Sequence, residues 1–205
     1  MIENKHISAV FNEDCMVGMS RYPDKYFDLA VVDPEYRDTN QPDKNMRKSG
    51  SMKNWKGAPK ANYFIELRRV SKEQIIFGGN YFAHFLEPNN NWFIWYKNND
   101  GLHMSMAEMA WVSIRKNIKV YDFRPMGHNV DWHPTGKPIQ LYDYLYKTYL
   151  PNGGKVIDTH LGSGSNRIAA NKAGNIDFVG FELDKDYYDA QEKRWKAFIS
   201  QTRLF

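Results

Sequence analysis

Apolar residues along the chain group into short runs separated by polar stretches, a pattern typical of strands that alternate with helices. The clearest run covers residues 27–32 and is nearly continuous, as expected for a strand buried on both faces of a sheet. Similar runs predict strands at residues 7–11, 74–77, 92–97, 109–114, 155–157 and 176–181. Helical spacing predicts helices at residues 61–71, 81–86, 139–150 and 166–173. The pattern therefore favours an α/β fold, and a length of 205 residues fits one domain, 1–205.

Composition narrows the class of protein. Cys15 is the single cysteine, which excludes a disulfide framework and a cysteine-rich zinc site and indicates a reducing, cytoplasmic compartment. We see neither a membrane-length apolar stretch nor the apolar core of a signal peptide, so no membrane partner is expected. The net charge of +4 and the pI near 9.0 permit a polyanionic partner without proving one.

The tetrapeptide Asp33-Pro34-Glu35-Tyr36 directly follows the strand at residues 27–32, where sites in open α/β sheets are found. Its groups suit an exocyclic amino group on a flat ring. The Asp33 carboxylate and the Pro34 carbonyl can accept hydrogen bonds, and Tyr36 offers an aromatic face for stacking. The alternative interpretation is that Asp-Pro only ends a strand and begins a turn.

A second pattern lies in the last quarter of the chain. Asp158 ends a predicted strand, Gly162 and Gly164 follow it, and Glu182 ends the next strand 20 residues after Gly162. A strand, a glycine turn and a helix let the backbone approach a cofactor closely, and an acid at this spacing can accept hydrogen bonds from ribose hydroxyls. Because a third glycine is missing, S-adenosylmethionine fits this pattern better than a dinucleotide. Asp14 follows the first predicted strand and is a further candidate for cofactor contact.

Two segments are candidates for nucleic-acid contact. Residues 37–60 contain seven basic and two acidic residues, a net charge of +5, and read as a mobile basic loop that could grip phosphates. A solvated flexible insertion is the alternative. Residues 115–132 mix basic residues with aromatic ones, which could bind phosphates and bases or could equally form a satellite core. His133 has no second histidine or cysteine at ligand spacing, so we expect no metal.

The chain resembles the amino-directed DNA methyltransferases of the N6-adenine and N4-cytosine type, in the permuted β arrangement. The tetrapeptide at Asp33 is similar to their D-P-P-Y catalytic motif, Asp158 to Gly164 resemble their cofactor motif, and residues 133–138 resemble their H-P-T-x-K-P signature. The resemblance covers nearly the whole chain. It implies a Rossmann-like, mostly parallel sheet with helices on both faces and a circularly permuted motif order.

The resemblance also implies roles for individual residues. The implied catalytic residues are Asp33, Pro34 and Tyr36. The implied contacts for S-adenosylmethionine are Asp14, Cys15, Asp33, His133, Thr135, Lys137, Asp158, Leu161, Gly162, Gly164, Ser165, Glu182 and Leu183. Expected DNA contacts in the basic loop 37–60 and the target-recognition segment 115–132 are Arg37, Lys48, Lys53, Lys56, Arg115, Lys116, Lys119 and Arg124.

Site-specific methylation of adenine N6 in DNA, by base flipping and direct attack, is the activity that the resemblance favours. Asp33 at the first motif position is commoner in the adenine group, while N4-cytosine methylation is the alternative. Glu35 departs from the motif, so a catalytically impaired binding protein is a second alternative. Cytosine C5 methylation needs a cysteine nucleophile, and Cys15 lies in no matching context. The recognition segment is short, which makes a homodimer a plausible partner arrangement.

Overall fold

A central sheet organises the computed structural model, which describes residues 6–36, 57–99, 101, 105–125, 132–133 and 135–202. The sheet order is β1-β8-β7-β2-β3-β5-β4-β6. In chain order the strands are β1 (Ser8–Phe11), β2 (Phe27–Val32), β3 (Ser71–Phe77), β4 (Trp92–Tyr96), β5 (Ala107–Val112), β6 (Lys119–Asp122), β7 (Gly154–Asp158) and β8 (Ile176–Phe181).

All the strand pairs are parallel except the two that involve β5, which runs antiparallel to β3 and β4. The predicted mostly parallel sheet is therefore confirmed. β7 and β2 are neighbours in the middle of the sheet, with Leu29 opposite Val156. From this pair the chain continues outward to β8 on one side and to β3 on the other, so the strand order reverses here. The crevice past the carboxyl ends of β7 and β2 is where open α/β sheets bind ligands.

Helices cover both faces of the sheet, as predicted. They are α1 (Cys15–Met19), α2 (Ala61–Val70), α3 (Ile139–Tyr149), α4 (Ser165–Ala173) and α5 (Lys185–Thr202). Alternate residues of β2 point to opposite faces. Val31 packs in the cluster that contains residues of α3 and α4, and Val32 packs in the cluster that contains α2. Burial on both faces explains why β2 is apolar except at Asp28, which is partly exposed and pairs with Lys72.

Several elements differ from the prediction. Residues 119–122 form β6 instead of irregular chain, because Tyr121 and Phe123 pack against the partly buried edge of one apolar cluster. The satellite-core alternative is thus correct for these two aromatic residues. The helix predicted at residues 81–86 is a single 3₁₀ turn, Ala83–Phe85, whose backbone bonds span three residues. Helices α1 and α5 lie where no helix was predicted.

Within the described residues, no helix is both long and apolar enough to span a bilayer. The same part of the chain also contains no cluster of histidine, cysteine, aspartate or glutamate side chains that could hold a metal ion.

Candidate active site

A cavity of about 620 Å³ opens past the carboxyl ends of β7 and β2. Its walls come from the segments that follow β1, β2, β7 and β8, with further residues at Gly57, at Glu108 near the start of the antiparallel β5, and at 133, 135–137 and 142, before and within the helix Ile139–Tyr149. Predicted site residues that line it are Asp14, Cys15, Asp33, Pro34, Tyr36, His133, Thr135, Lys137, Leu161, Gly162, Glu182 and Leu183. The fold thus brings the two separate sequence patterns into one crevice.

The tetrapeptide after β2 is held in a defined shape. The Tyr36 hydroxyl donates a hydrogen bond to Asp33 Oδ1 over 2.5 Å. The Tyr36 ring stacks on Tyr81, with centroids 5.1 Å apart and planes at 13°. Gly78, at φ +67°, allows this arrangement, because a Cβ there would lie 2.2 Å from the Tyr36 ring. Burial raises the pKa of Tyr36 well above its ordinary value, so the hydroxyl stays protonated and remains a donor.

The second oxygen of Asp33 accepts a hydrogen bond from the Lys137 ammonium. Lys137 Nζ also lies 3.1 Å from Glu108 Oε2. Burial disfavours the ammonium form of Lys137, but the charges of Asp33 and Glu108 outweigh burial and hold its pKa above the ordinary value. In this arrangement Lys137 remains a cation beside Asp33 at neutral pH.

Glu35, the residue that departs from the family motif, is bound to backbone. Its Oε2 accepts a hydrogen bond from the Gly57 N–H over 2.7 Å. Gly57 has φ +92°, a conformation that glycine adopts without strain. The carboxylate therefore has a hydrogen-bonded place at the margin of the cavity.

The glycine turn after β7 is built around Asp158. Its Oδ1 accepts a hydrogen bond from the His160 N–H at 3.0 Å, and its Oδ2 accepts one from Asn166 at 2.8 Å. Asn166 also donates to the Val31 carbonyl, which ties β7 to β2. Burial raises the pKa of Asp158 to about 7. Asp158 thus shapes the turn from beneath and is not among the residues that line the cavity.

Gly164 and Ser165, two further predicted cofactor contacts, also lie outside the cavity lining. Gly164 packs against Gln191, and the Ser165 hydroxyl accepts a hydrogen bond from Arg194 at 2.9 Å. Both partners belong to α5, the helix that the sequence pattern did not predict. These two residues and Asp158 support the wall of the cavity, and their contact with a cofactor stays a prediction.

Gly162 and Glu182 are joined at the cavity wall. The Gly162 N–H donates to Glu182 Oε2 over 2.8 Å, and the Asp184 N–H donates to Glu182 Oε1 over 2.9 Å. Gly162 has φ +51°, and a Cβ at this position would lie 2.7 Å from His133 Nε2. The close approach of His133 explains why this position needs glycine.

His133 Nδ1 is buried and has no hydrogen-bond partner among the described residues. The ring packs against Tyr187, with centroids 4.6 Å apart. Burial, followed by the charges of Lys137 and Arg194, lowers the pKa of His133 to about 4, so the imidazole is neutral at pH 7. A buried polar atom without a partner at a cavity wall is a candidate ligand contact.

The sequence patterns did not single out Thr159 and His160, which line the cavity, or the buried Tyr63 beside them. The Thr159 hydroxyl is 2.6 Å from the Tyr63 hydroxyl and 2.9 Å from His160 Nδ1. Burial lowers the pKa of His160 to about 4. Thr159 and His160 stand between Asp158 and Gly162, so their place in the cofactor motif was the available signal. Glu108 was also missed, although a lone acid in an apolar strand is unusual.

The predicted DNA contacts divide into three groups. Arg37, Lys48, Lys53 and Lys56 lie outside the described residues. Arg124 is exposed just past the end of β6, which is parallel to β4 and so ends at the cavity edge of the sheet. Arg115, Lys116 and Lys119 lie at the opposite edge, because β5 runs away from the cavity. Lys116 Nζ donates to the Thr148 carbonyl in the last turn of α3. The recognition segment 115–132 therefore does not lie at the cavity as a whole.

Cys15 lines the cavity, and burial raises the pKa of its thiol to about 12, with Asp14 adding to the shift. Because the thiolate is the nucleophile, a thiol with this pKa is inert at neutral pH. Asp14 caps the start of α1 by accepting a hydrogen bond from the Met16 N–H over 2.8 Å. The exclusion of a cysteine nucleophile thus has a structural basis.

Three solved structures share the fold. The complex of M1.HpyAVI with SAM aligns at TM-score 0.65 and 20% identity, covering 91% of this chain and 98% of the other. TTHA0409 of Thermus thermophilus, assigned as a DNA modification methylase and solved with S-adenosyl-L-methionine, aligns at 0.63 and 14%, covering 94% of each chain. The cytosine-N4-specific PvuII DNA methyltransferase aligns at 0.63 and 11%, covering 91% and 86%.

Comparison of the sequence with family models identifies the family of the chain. No curated protein sequence matches the chain significantly. The family model described as DNA methylase, of the N6/N4 type, matches residues 24–193 and so spans both the tetrapeptide and the glycine turn. The chain therefore belongs to the N6/N4 DNA methylase family, whose members are S-adenosylmethionine-dependent DNA methyltransferases.

Proposed function

We propose that this DNA methyltransferase is site-specific and methylates the N6 amino group of adenine. The observation that carries the proposal is that Asp33 and Pro34 line the same cavity as Gly162 and Glu182. A group that accepts amino hydrogens and a wall suited to a nucleoside are thus within one crevice. The Asp at the first position of the motif favours adenine over cytosine.

The residues of the cavity fit S-adenosylmethionine. His133 Nδ1 is a buried polar atom that lacks a partner among the described residues, and Gly162 leaves no Cβ at the wall. The Glu182 carboxylate accepts hydrogen bonds from the Gly162 and Asp184 N–H groups, and a carboxylate oxygen can accept more than one hydrogen bond, so that a ribose hydroxyl could also donate to it. When bound, S-adenosylmethionine supplies a methyl group on a positively charged sulfur.

Carboxylates dominate the cavity wall. The acidic residues that line it are Glu13, Asp14, Asp33, Glu35, Glu108, Glu182 and Asp184. Lys137 and Lys185 are the lysines among its described lining residues, and His133 and His160 are held neutral by burial. An acidic cavity is electrostatically complementary to a sulfonium cation. The charge of the wall thus supports this cofactor over an anionic one.

Asp33 and Pro34 would prepare the target amino group. The nitrogen lone pair of an adenine amino group is delocalised into the ring, which makes the nitrogen a weak nucleophile. The Asp33 side chain and the Pro34 carbonyl would each accept a hydrogen bond from one of its two N–H groups. These bonds would hold the nitrogen toward tetrahedral geometry and make its lone pair available for attack. Tyr36, supported from behind by Tyr81, would stack on the base after the base leaves the duplex. Positioning and electrostatics would then provide most of the rate.

N4-cytosine methylation is the second candidate, because the cytosine amino group presents the same two hydrogens. The cytosine-N4-specific PvuII enzyme shares the fold, which supports keeping this candidate. Loss of catalysis through Glu35 is a third. The hydrogen bond between Glu35 and the Gly57 N–H speaks against it, since the carboxylate already has a partner of its own.

Nucleoside analysis tests the proposal. The protein is incubated with unmethylated genomic DNA and S-adenosylmethionine labelled in the methyl group, and the DNA is digested and analysed by mass spectrometry. We expect labelled N6-methyldeoxyadenosine. Labelled N4-methyldeoxycytidine would overturn the base assignment, and bound cofactor without any transfer to DNA or RNA would favour the impaired binding protein. Sedimentation of the same preparation tests the predicted homodimer.

A further inference from the structure

Four charged side chains form a row beside the cavity, here called the charge row: Asp33, Lys137, Glu108 and Lys97. Lys137 donates to Asp33 and lies 3.1 Å from Glu108 Oε2, while Glu108 Oε1 lies 2.5 Å from Lys97 Nζ. Lys97 is 7% exposed and Lys137 is 5% exposed. With two cations and two carboxylates, the charge row is neutral as a whole.

The hairpin of β4 and β5 supplies half of this row. Glu108 stands opposite Trp95 in the strand register, and Lys97 directly follows β4. Lys97 Nζ also lies 5.0 Å from the Trp95 ring centroid, which adds a cation–π contact. Buried ammonium groups are costly unless they are paired. Glu108 is the carboxylate that both lysines share, so its removal would leave two buried cations and one carboxylate.

We propose that Glu108 is a positioning residue for methyl transfer, which neutralises Lys97 and holds Lys137 on Asp33 without surplus positive charge beside the target amino group. The inference rests on the proposed function, in which Asp33 accepts a hydrogen bond from that amino group. A surplus cation would draw electron density from Asp33 and weaken it as an acceptor. It would also oppose the positive charge that develops on the amino nitrogen.

The groups that face Lys137 make this charge balance specific. Those identified among the described residues are Asp33, Tyr36, Glu108, His133 and Tyr142, with Lys97 behind Glu108. Burial keeps both tyrosines protonated and the histidine neutral at pH 7. The formal charges in this set are therefore those of the charge row.

The test is a pH–rate profile, measured from pH 6 to 10 with saturating cofactor and DNA. For Glu108→Gln we expect kcat at pH 7 to fall about tenfold or more and to recover at higher pH, where one lysine loses its proton and neutrality returns. Lys97 should be that lysine, because Lys137 retains Asp33. For the double variant Glu108→Gln with Lys97→Met, kcat should return to within about threefold of wild type and the added ionisation should disappear.

Lys72→Met serves as the matched control, because Lys72 is an exposed lysine paired with Asp28 outside the cavity. It should leave the profile unchanged. A Glu108→Gln profile parallel to that of wild type, or no recovery in the double variant, would overturn the inference. Binding of S-adenosylmethionine, followed by calorimetry, should change much less than kcat in every variant.

Failure of the proposed function is recognised separately, because it appears as absence of transfer by the wild-type protein. The inference can then be read from thermal unfolding over the same pH range. A lysine whose pKa is lowered in the folded state makes the protein gain stability as pH rises. We therefore expect the midpoint of Glu108→Gln to rise with pH relative to wild type and the double variant to lack this rise. A constant difference between single variant and wild type would contradict the inference.

Discussion

The Tyr36 hydroxyl donates a hydrogen bond to Asp33 Oδ1 across 2.5 Å, so the last side chain of the tetrapeptide fixes the orientation of the first. Tyr36 thus has two separable functions, a ring for stacking and a hydroxyl that holds the carboxylate. Tyr36→Phe keeps the ring and removes the hydrogen bond. Since a hydrogen bond to a charged group contributes about 1.5–3 kcal/mol, we expect kcat to fall about 10- to 100-fold. Steady-state kinetics should show little change in the KM for DNA, whereas Tyr36→Ala should raise it.

Gly78 provides the space that the Tyr36 ring occupies. In Gly78→Ala the new Cβ would lie 2.2 Å from the ring, and the left-handed backbone would be strained. We expect the ring to shift and methyl transfer to fall at least tenfold, comparable to the loss of one precisely placed contact. Gly174→Ala is the control, because Gly174 has a similar φ of +74° but no contact within 4 Å of its Cβ position from the described residues beyond its own chain neighbours and helix backbone. Equal loss of activity in both variants would contradict this explanation.

Asp33 is predicted to act on transfer rather than on cofactor binding. Asp33→Ala removes the acceptor for the amino group, and we expect a loss of transfer of about 10²-fold or more, the magnitude typical of a preorganised polar group. The dissociation constant for S-adenosylmethionine should change by less than about threefold. Asp143→Asn is the control, because this half-buried partner of Lys172 lies outside the cavity lining. Equal losses in binding and transfer would point to a general defect of the cavity.

Asp158 should make folding stability depend on pH. Its pKa of about 7 in the folded protein lies above the ordinary value of 3.8, because burial disfavours the charged form. The folded state therefore binds the proton more tightly, and this contribution is complete below pH 3.8 and is lost as pH rises through about 7. Asp158→Asn cannot titrate. Its free energy of unfolding, relative to wild type, should therefore increase between pH 4 and pH 8, by about 1.4 kcal/mol per pKa unit.

Comparison with the variant is needed because His133 and His160 change the folding stability with pH in the opposite direction to Asp158. Their pKa values of about 4 lie below the ordinary 6.5, so their contribution is present above pH 6.5 and is lost as pH falls through about 4. Subtracting the two denaturation series isolates Asp158, and a flat difference would contradict the assignment. The variant should also weaken S-adenosylmethionine binding, since Asp158 shapes the turn that carries Gly162.

The two groups of basic residues are expected to behave differently toward DNA. The lysines at positions 48, 53 and 56 remain predicted phosphate contacts, and replacing all three by alanine should reduce the slope of log K against log salt by about 0.9 for each phosphate that is no longer neutralised. Replacing Lys116 and Lys119, at the opposite edge of the sheet, should leave the slope unchanged. Fluorescence anisotropy over a salt series measures both slopes. If the slope changes only in the variant without Lys116 and Lys119, DNA binds at the edge of the sheet opposite the cavity.

Part of the site could be predicted from the sequence, because it depends on hydrophobic runs and on the acidic residues that come at or after their ends. The run at β2 is mostly apolar because both of its faces are buried, and Asp33 directly follows β2 while Asp158 ends β7, at the same sheet edge. Parallel strands bring such ends together, so the meeting of the two patterns was predictable.

Other features depended on contacts between distant residues. Glu108 reaches the cavity because β5 is antiparallel, so the start of that strand lies at the edge where the other strands end. Lys116 lies at the far edge for the same reason, although the basic and aromatic composition of its segment, 115–132, is typical of a nucleic-acid contact. The partners of Gly164 and Ser165 come from α5, whose helical pattern is weak in sequence. Strand direction and helix docking are tertiary properties that residue spacing alone does not encode.

The bond between Asp28 Oδ2 and the Lys155 N–H joins positions 127 residues apart, next to the β2–β7 pair in the middle of the sheet. On the ribosome, β2 therefore leaves the exit tunnel long before its central neighbour has been synthesised. Until β7 is synthesised, one edge of β2 has no neighbouring strand to pair with. Chaperone dependence and aggregation of nascent chains should consequently be greatest until β7 and β8 emerge, because β7 covers the open flank of β2 and β8 joins β7 to β1.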